Sequence, residues 1–220
     1  MTHQVLLPQV TSWFDTLEDR PLQELLKSPE TCAIFSADMI NGFLRKGPLA
    51  SQRVDAITTP VVSLMQRSWD LGLRDIVLLQ DTHEPETPEF VSWPLHAIAG
   101  TEESSVITEI AELRFARRIT TIEKNSLNPA IGTIFDSWLA EHDYITTAIV
   151  VGNCTDLCVY QLAMHLRLRA NAHNLSATRV VVPETCVATF DTPDHPGDEF
   201  HQIFLYHMSI NGIEIVRNLT

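Results

Sequence analysis

Residues 147–162 read TAIVVGNCTDLCVYQL. A β-branched apolar run stops at Gly152, turn residues follow, and a helical pattern then begins, predicted from Thr155 onward. Near-continuous apolar strands that alternate with helices build a parallel sheet covered on both faces. Cys158 falls in the first turn of that helix, where unpaired backbone N–H groups and the positive end of the helix dipole favour a thiolate. The competing reading is a small cysteine packed between strand and helix. Groups elsewhere in the chain must decide between the two.

Working outward from this stretch, buried strands are predicted at 31–37, 75–79, 118–122, 145–151, 179–182 and 213–216. Helical periodicity covers 51–71, 103–113, 129–141, 155–172 and 197–211. The fold class is therefore α/β, a three-layer α/β/α sandwich around a six-stranded, mostly parallel sheet. Residues 5–26 mix helical periodicity with Pro8 and Pro21. We read 1–30 as an N-terminal arm of short helices and 31–220 as the main domain. The arm packs on the domain or on a neighbouring subunit.

Composition narrows the partners. A chain of 220 residues with 45% apolar content can bury one sizeable core. The excess of 28 acidic over 15 basic residues, a net charge of −13, argues against nucleic acid or an anionic membrane as partner. No basic leader precedes a long apolar run, and no stretch approaches the ~20 apolar residues of a membrane span. Four cysteines in a chain this long are too few for a disulfide scaffold. These features suggest a cytoplasmic protein with reduced thiols.

Asp38, Asp81, Lys124 and the GNCTD turn all follow the C-terminal ends of predicted strands, the edge at which open α/β sheets bind ligands. An aspartate can accept a thiol proton and return it to a leaving amine, while a lysine charge stabilises both anions. A structural Asp38–Lys124 salt bridge is the alternative. A second cluster starts with Asp81 and His83, which share one face of an extended segment because side chains repeat every two residues. Glu89 and His96 follow on a loop of about twenty residues, longer than connecting loops usually are. Carboxylate and imidazole donors suit Zn, Mn or Fe. A solvated acidic loop with incidental histidines remains open at this point.

DMINGF with Asp38, TIEK with Lys124, and VVGNCTDLCV with Cys158 resemble the three catalytic motifs of the isochorismatase-like cysteine hydrolases. QDTHEPETPEFVSWPLHAIAGTEES resembles the metal-binding loop of the nicotinamidases within that family. The likeness runs from about residue 32 to 216. It implies Cys158 as nucleophile, Asp38 as proton shuttle and Lys124 as the group that orients them. It further implies Asp81, His83, Glu89 and His96 as ligands of a divalent metal, zinc ahead of manganese or iron. Phe43 and Trp93 would clamp a pyridine ring, and the backbone N–H groups of Cys154 and Cys158 would form an oxyanion hole. A cis peptide is expected between Asn153 and Cys154. The implied reaction is hydrolysis of nicotinamide to nicotinate and ammonia, in NAD metabolism, and because members of the family are commonly oligomeric the resemblance also implies a homo-oligomer. The alternatives are another small amide as substrate, or a non-catalytic relative. Two departures stand out: NSLNPAIGT after Lys124 lacks the usual Tyr-Ser-x-Phe run, and Cys154 stands where alanine is commoner.

Overall fold

The computed structural model describes residues 8–220. Its helices are α1 (Pro8–Asp15), α2 (Leu22–Leu25), α3 (Asn41–Leu44), α4 (Gln52–Asp55), α5 (Thr58–Asp70), α6 (Thr108–Ala111), α7 (Phe135–Glu141), α8 (Cys158–Ala172) and α9 (Gly197–Ile210). The strands are β1 (Cys32–Ala37), β2 (Asp75–Asp81), β3 (Thr120–Lys124), β4 (Thr147–Asn153), β5 (Arg179–Pro183), β6 (Val187–Ala188) and β7 (Glu214–Val216). The main sheet runs β3-β2-β1-β4-β5-β7, with β6 added beside the end of β4, and every strand pair is parallel.

Alternation along the central strands sorts the core into two layers. Ala33, Phe35, Val77, Leu79, Ala148 and Val150 face α7, α8 and α9. Ile34, Ile76, Leu78, Ile149 and Val151 face α2, α4, α5 and α6. Phe35 anchors the first layer, meeting Phe135 and Trp138 edge-on at 5.6 and 5.8 Å between ring centroids, a preferred aromatic geometry.

The sheet has seven strands where six were expected. The seventh, β6, is only two residues long, too short to show as an apolar run. Helix boundaries also moved. The predicted helix at 51–71 is two helices, the second restarting with Pro60 in its first turn, where the missing N–H costs nothing. The one at 129–141 begins only at Phe135, after Gly132 turns with φ of 72° and the Thr133 hydroxyl accepts the Phe135 N–H. The one at 103–113 shrinks to α6. Helix α8 starts at Cys158 and not at Thr155, because Leu157 and Val159 both donate to the Cys154 carbonyl and close a turn first.

Of the N-terminal arm, residues 1–7 lie outside the described part. Helix α1 rests on α9 with Trp13 edge-on to Tyr206 at 5.3 Å. Among the described residues, no helix is long and apolar enough to cross a membrane.

Candidate active site

The chain leaves β1 toward β2 on one side and returns through β4 on the other, so a crevice opens beyond the C-terminal ends of β1 and β4. Gly152 makes that junction close. A side chain there would put its Cβ 2.0 Å from the Ala37 carbonyl oxygen, and its φ of 111° belongs to glycine. Asp38, one residue past β1, has φ of 50° and is fully buried. Its Oδ1 accepts the Asp81 N–H at 2.7 Å, and its carbonyl accepts from Asn153 Nδ2 at 2.6 Å. The three strand ends are thus tied together by side chains.

Lys124 is the last residue of β3 rather than just past the strand, and it is buried. Its ammonium lies 2.9 Å from Asp38 Oδ2, 2.5 Å from Asp81 Oδ1 and 3.5 Å from Cys158 Sγ. Burial works against that charge, but the two carboxylates and the thiol hold its pKa well above the ordinary lysine value. Burial and the neighbouring Asp81 charge push the Asp38 carboxyl up to about 6, against the pull of Lys124. Burial also raises Asp81, yet Lys124 and His83 outweigh it and hold Asp81 below the usual carboxylate range.

Cys158 departs from expectation. Burial, then the Asp38 charge, push its thiol well above the ordinary value, and Lys124 only partly offsets them. Helix position favours the thiolate, while burial and the Asp38 charge work against it.

Asp81, His83 and His96 offer one donor atom each, all within 4.8 Å of one another, and all three residues are buried. The orientation of each imidazole follows from its other nitrogen. His96 Nδ1 faces the Pro94 carbonyl at 2.8 Å, which only accepts, so that nitrogen carries the proton and Nε2 keeps a lone pair. His83 Nδ1 faces Asn125 Oδ1 at 2.9 Å, an oxygen that also accepts from the Glu84 N–H. Asp81 Oδ2 and His83 Nε2 are buried with no hydrogen-bond partner among the described residues, and they stand 3.6 Å apart. Two ligands of one zinc ion sit about 3.3 Å apart at ordinary bond lengths. Orphaned donors of this kind at this spacing fit a divalent cation. Glu89 stands at the rim, its Oε1 3.8 and 3.9 Å from the two Nε2 atoms.

Both clusters open into one cavity of about 320 Å³, which Phe43, Trp93, Cys154, Cys158, Asp81 and His96 help to line. The peptide between Asn153 and Cys154 is cis. Among the described residues, the N–H groups of Cys154 and Cys158 donate to no backbone carbonyl outside their own helix or strand. They remain available to a ligand.

Several participants escaped the sequence reading. Asn125 orients His83, and Phe190, Asp191 and Thr192 form a wall of the cavity. Asp156, quoted within GNCTD but given no role, accepts from His195 and Thr189. The segment 187–196 shows neither period, so only its turn residues could have drawn attention to it. The same segment accounts for the Cys154 side chain. Burial and the Asp156 charge push that thiol up to about 12, against the pull of Thr189 and the Phe190 backbone, and its sulfur donates to Asn153 Oδ1 at 3.8 Å. It is a packing contact between the GNCTD turn and the cavity wall.

A site of this kind, on this sheet, defines an isochorismatase-fold hydrolase, and the Isochorismatase domain model matches residues 32–215. The chain belongs to that family. It is 26% identical to Nicotinamidase 1 of Arabidopsis thaliana, over 99% of this chain and 98% of that protein. Among solved structures, nicotinamidase from Bacillus subtilis superposes with a TM-score of 0.71 at 25% identity, covering 85% of this chain and 99% of that one. N-carbamoylsarcosine amidase from Thermoplasma acidophilum gives 0.68 at 26% identity, covering 85% and 96%.

Proposed function

We propose that the protein is a metal-dependent cysteine amidase that hydrolyses nicotinamide to nicotinate and ammonia. The observation that carries this is the double use of Asp81. One carboxylate oxygen bonds the Lys124 ammonium, while the other points, unpartnered, at the His83 and His96 donors. Nucleophile and metal site thereby share one cavity, as a substrate with an amide on a metal-binding ring requires.

Asp81, His83 and His96 would hold the metal, with Glu89 at its rim. A divalent cation there, zinc by donor set, would bind and polarise a ring nitrogen. Phe43 and Trp93 would flank the ring. Asp38 takes the Cys158 proton as sulfur attacks the amide carbon, and the N–H groups of Cys154 and Cys158 receive the developing oxyanion, each worth about 3 kcal/mol. Asp38 then protonates the departing ammonia, leaving a thioester on Cys158. It next takes a proton from water, which attacks the thioester and releases the acid, and the proton returns to Cys158. Lys124 keeps Asp38 charged between steps.

The neutral amide is favoured over an acid-bearing one such as a carbamoyl amino acid. The ionisable carboxyl groups lining the cavity are Asp81, Glu89 and Asp191, with no lysine or arginine among the described lining residues to receive a substrate carboxylate. We read residues 1–30 as an arm on the hydrolase domain of 31–220, in a cytoplasmic homo-oligomer. The test is ammonia release from nicotinamide by purified protein supplied in turn with zinc, manganese and iron. No release with any of them would sink the reading.

A further inference from the structure

Phe190 lines the same cavity as the two expected ring-clamping residues, Phe43 and Trp93. Its ring meets Trp93 edge-on, with centroids 6.0 Å apart. Behind it, His195 stacks at 3.9 Å and 14°, and Phe200 of α9 stacks on His195 at 3.9 Å and 25°. The three rings form one column from the cavity wall into the helix.

His195 also fastens the wall to the catalytic turn. Its Nε2 is 2.7 Å from Asp156 Oδ2, and its Nδ1 is 3.1 Å from the Phe190 carbonyl. Paired N–H···O bonds between Thr192 and His195, each 3.0 Å, fold the segment back on itself. Thr189 Oγ1 donates to the other Asp156 oxygen at 2.5 Å. Asp156 sits in the chain between Cys154 and Cys158, the proposed nucleophile. One carboxylate therefore ties the turn that carries the proposed sulfur nucleophile to the Phe190 wall of the cavity.

We infer that Phe190 is a specificity-determining wall for the substrate ring, and that His195 is its positioning residue, latching it to the catalytic turn through Asp156. The inference rests on the proposed nicotinamide reading. An edge-on aromatic partner held by a stack contributes up to about tenfold in binding, and discrimination against one added methyl reaches about 10–200-fold in a close pocket.

The experiment measures kcat and KM for nicotinamide and for 5-methylnicotinamide in Phe190→Ala, His195→Ala and the double variant, with thermal unfolding as a folding control. Phe190→Ala is expected to lose about tenfold in kcat/KM, mostly through KM, and to discriminate less against the methylated ring. His195→Ala should show the same pattern although Phe190 is intact. The double variant should resemble either single one, because both remove one wall. An unchanged KM in folded Phe190→Ala, or losses that add fully in the double variant, overturns the inference. If His195→Ala fails to fold, Phe190→Ala alone decides. Wild-type turnover is the internal control: its absence sinks the functional reading and this inference with it, whereas turnover with an unmoved KM sinks only the inference.

Discussion

The Asp81 N–H donates to Asp38 Oδ1 at 2.7 Å, so the carboxylates at two adjacent strand ends are fixed relative to each other by backbone. Each then contributes one oxygen to the Lys124 ammonium. Without that cation, two fully buried carboxylates this close would not both stay ionised. The geometry makes the proposed proton shuttle and the proposed metal site dependent on one lysine, and the first two predictions separate them.

Asp81→Asn keeps the backbone bond to Asp38 but gives up a charged ligand and half of the lysine's counter-charge. Metal content after purification without chelator should fall, and turnover should drop by at least about 100-fold. Excess zinc should restore part of the activity. Full metal occupancy in this variant would remove Asp81 from the ligand set.

Cys158→Ala should abolish turnover and leave metal content unchanged, since the sulfur is not one of the clustered Asp81, His83 and His96 donors. Asp38→Asn should cost about 10²–10⁴-fold, the usual worth of a positioned general acid–base, with metal retained. Single-turnover mass spectrometry on the wild type should find a thioester at Cys158. Retained activity in Cys158→Ala would overturn the nucleophile assignment.

How much of this was legible in the chain differs from residue to residue. Apolar runs ending in Asp38, Asp81 and Gly152 signalled a parallel sheet with chemistry at one edge, because buried parallel strands cannot afford polar interruptions. Motif likeness supplied the partners across the sheet. What stayed hidden depends on three-dimensional proximity between segments without period. Phe190 and His195 belong to a turn whose sequence resembles any surface loop, and the β6 pairing with β4, with the Thr189 and His195 bonds to Asp156, brings it against GNCTD. The forces acting on the Cys158 thiol were half hidden for a related reason. Helix position is visible locally, but burial among two carboxylates is not.

Gly152 carries a stability prediction. Gly152→Ala would drive a methyl group into the Ala37 carbonyl at 2.0 Å and place a non-glycine residue at φ of 111°. Strain and steric displacement together should cost about 3 kcal/mol or more, read as a lowered denaturant midpoint with an unchanged slope. Because the same contact joins β1 to β4 next to Asp38, activity should fall even under conditions where the variant remains folded.

A last prediction concerns the support behind the catalytic turn. Thr155 Oγ1 is 2.8 Å from His201 Nδ1, His201 Nε2 is 3.3 Å from Glu184, and Glu184 bonds Arg217, which donates to the Phe14 carbonyl and covers its ring. A polar chain, buried at Thr155 and His201 and half-buried at Glu184 and Arg217, thus runs from the turn to α1. Burial pushes the Glu184 carboxyl up, but His201 and then Arg217 outweigh it and hold it below the usual glutamate value. A folded-state pKa below the unfolded one means that the unfolded chain binds more protons as pH falls. The stabilisation is therefore complete above the ordinary glutamate pKa of about 4.3 and is lost as pH drops through the depressed folded value. Glu184→Gln should be less stable than wild type near neutral pH by on the order of 1 kcal/mol, discounted for partial exposure. The gap should close in acid, measured as denaturant midpoints from pH 7 down to pH 3. A gap that stays constant across that range would mean that the Glu184 charge does not stabilise the fold.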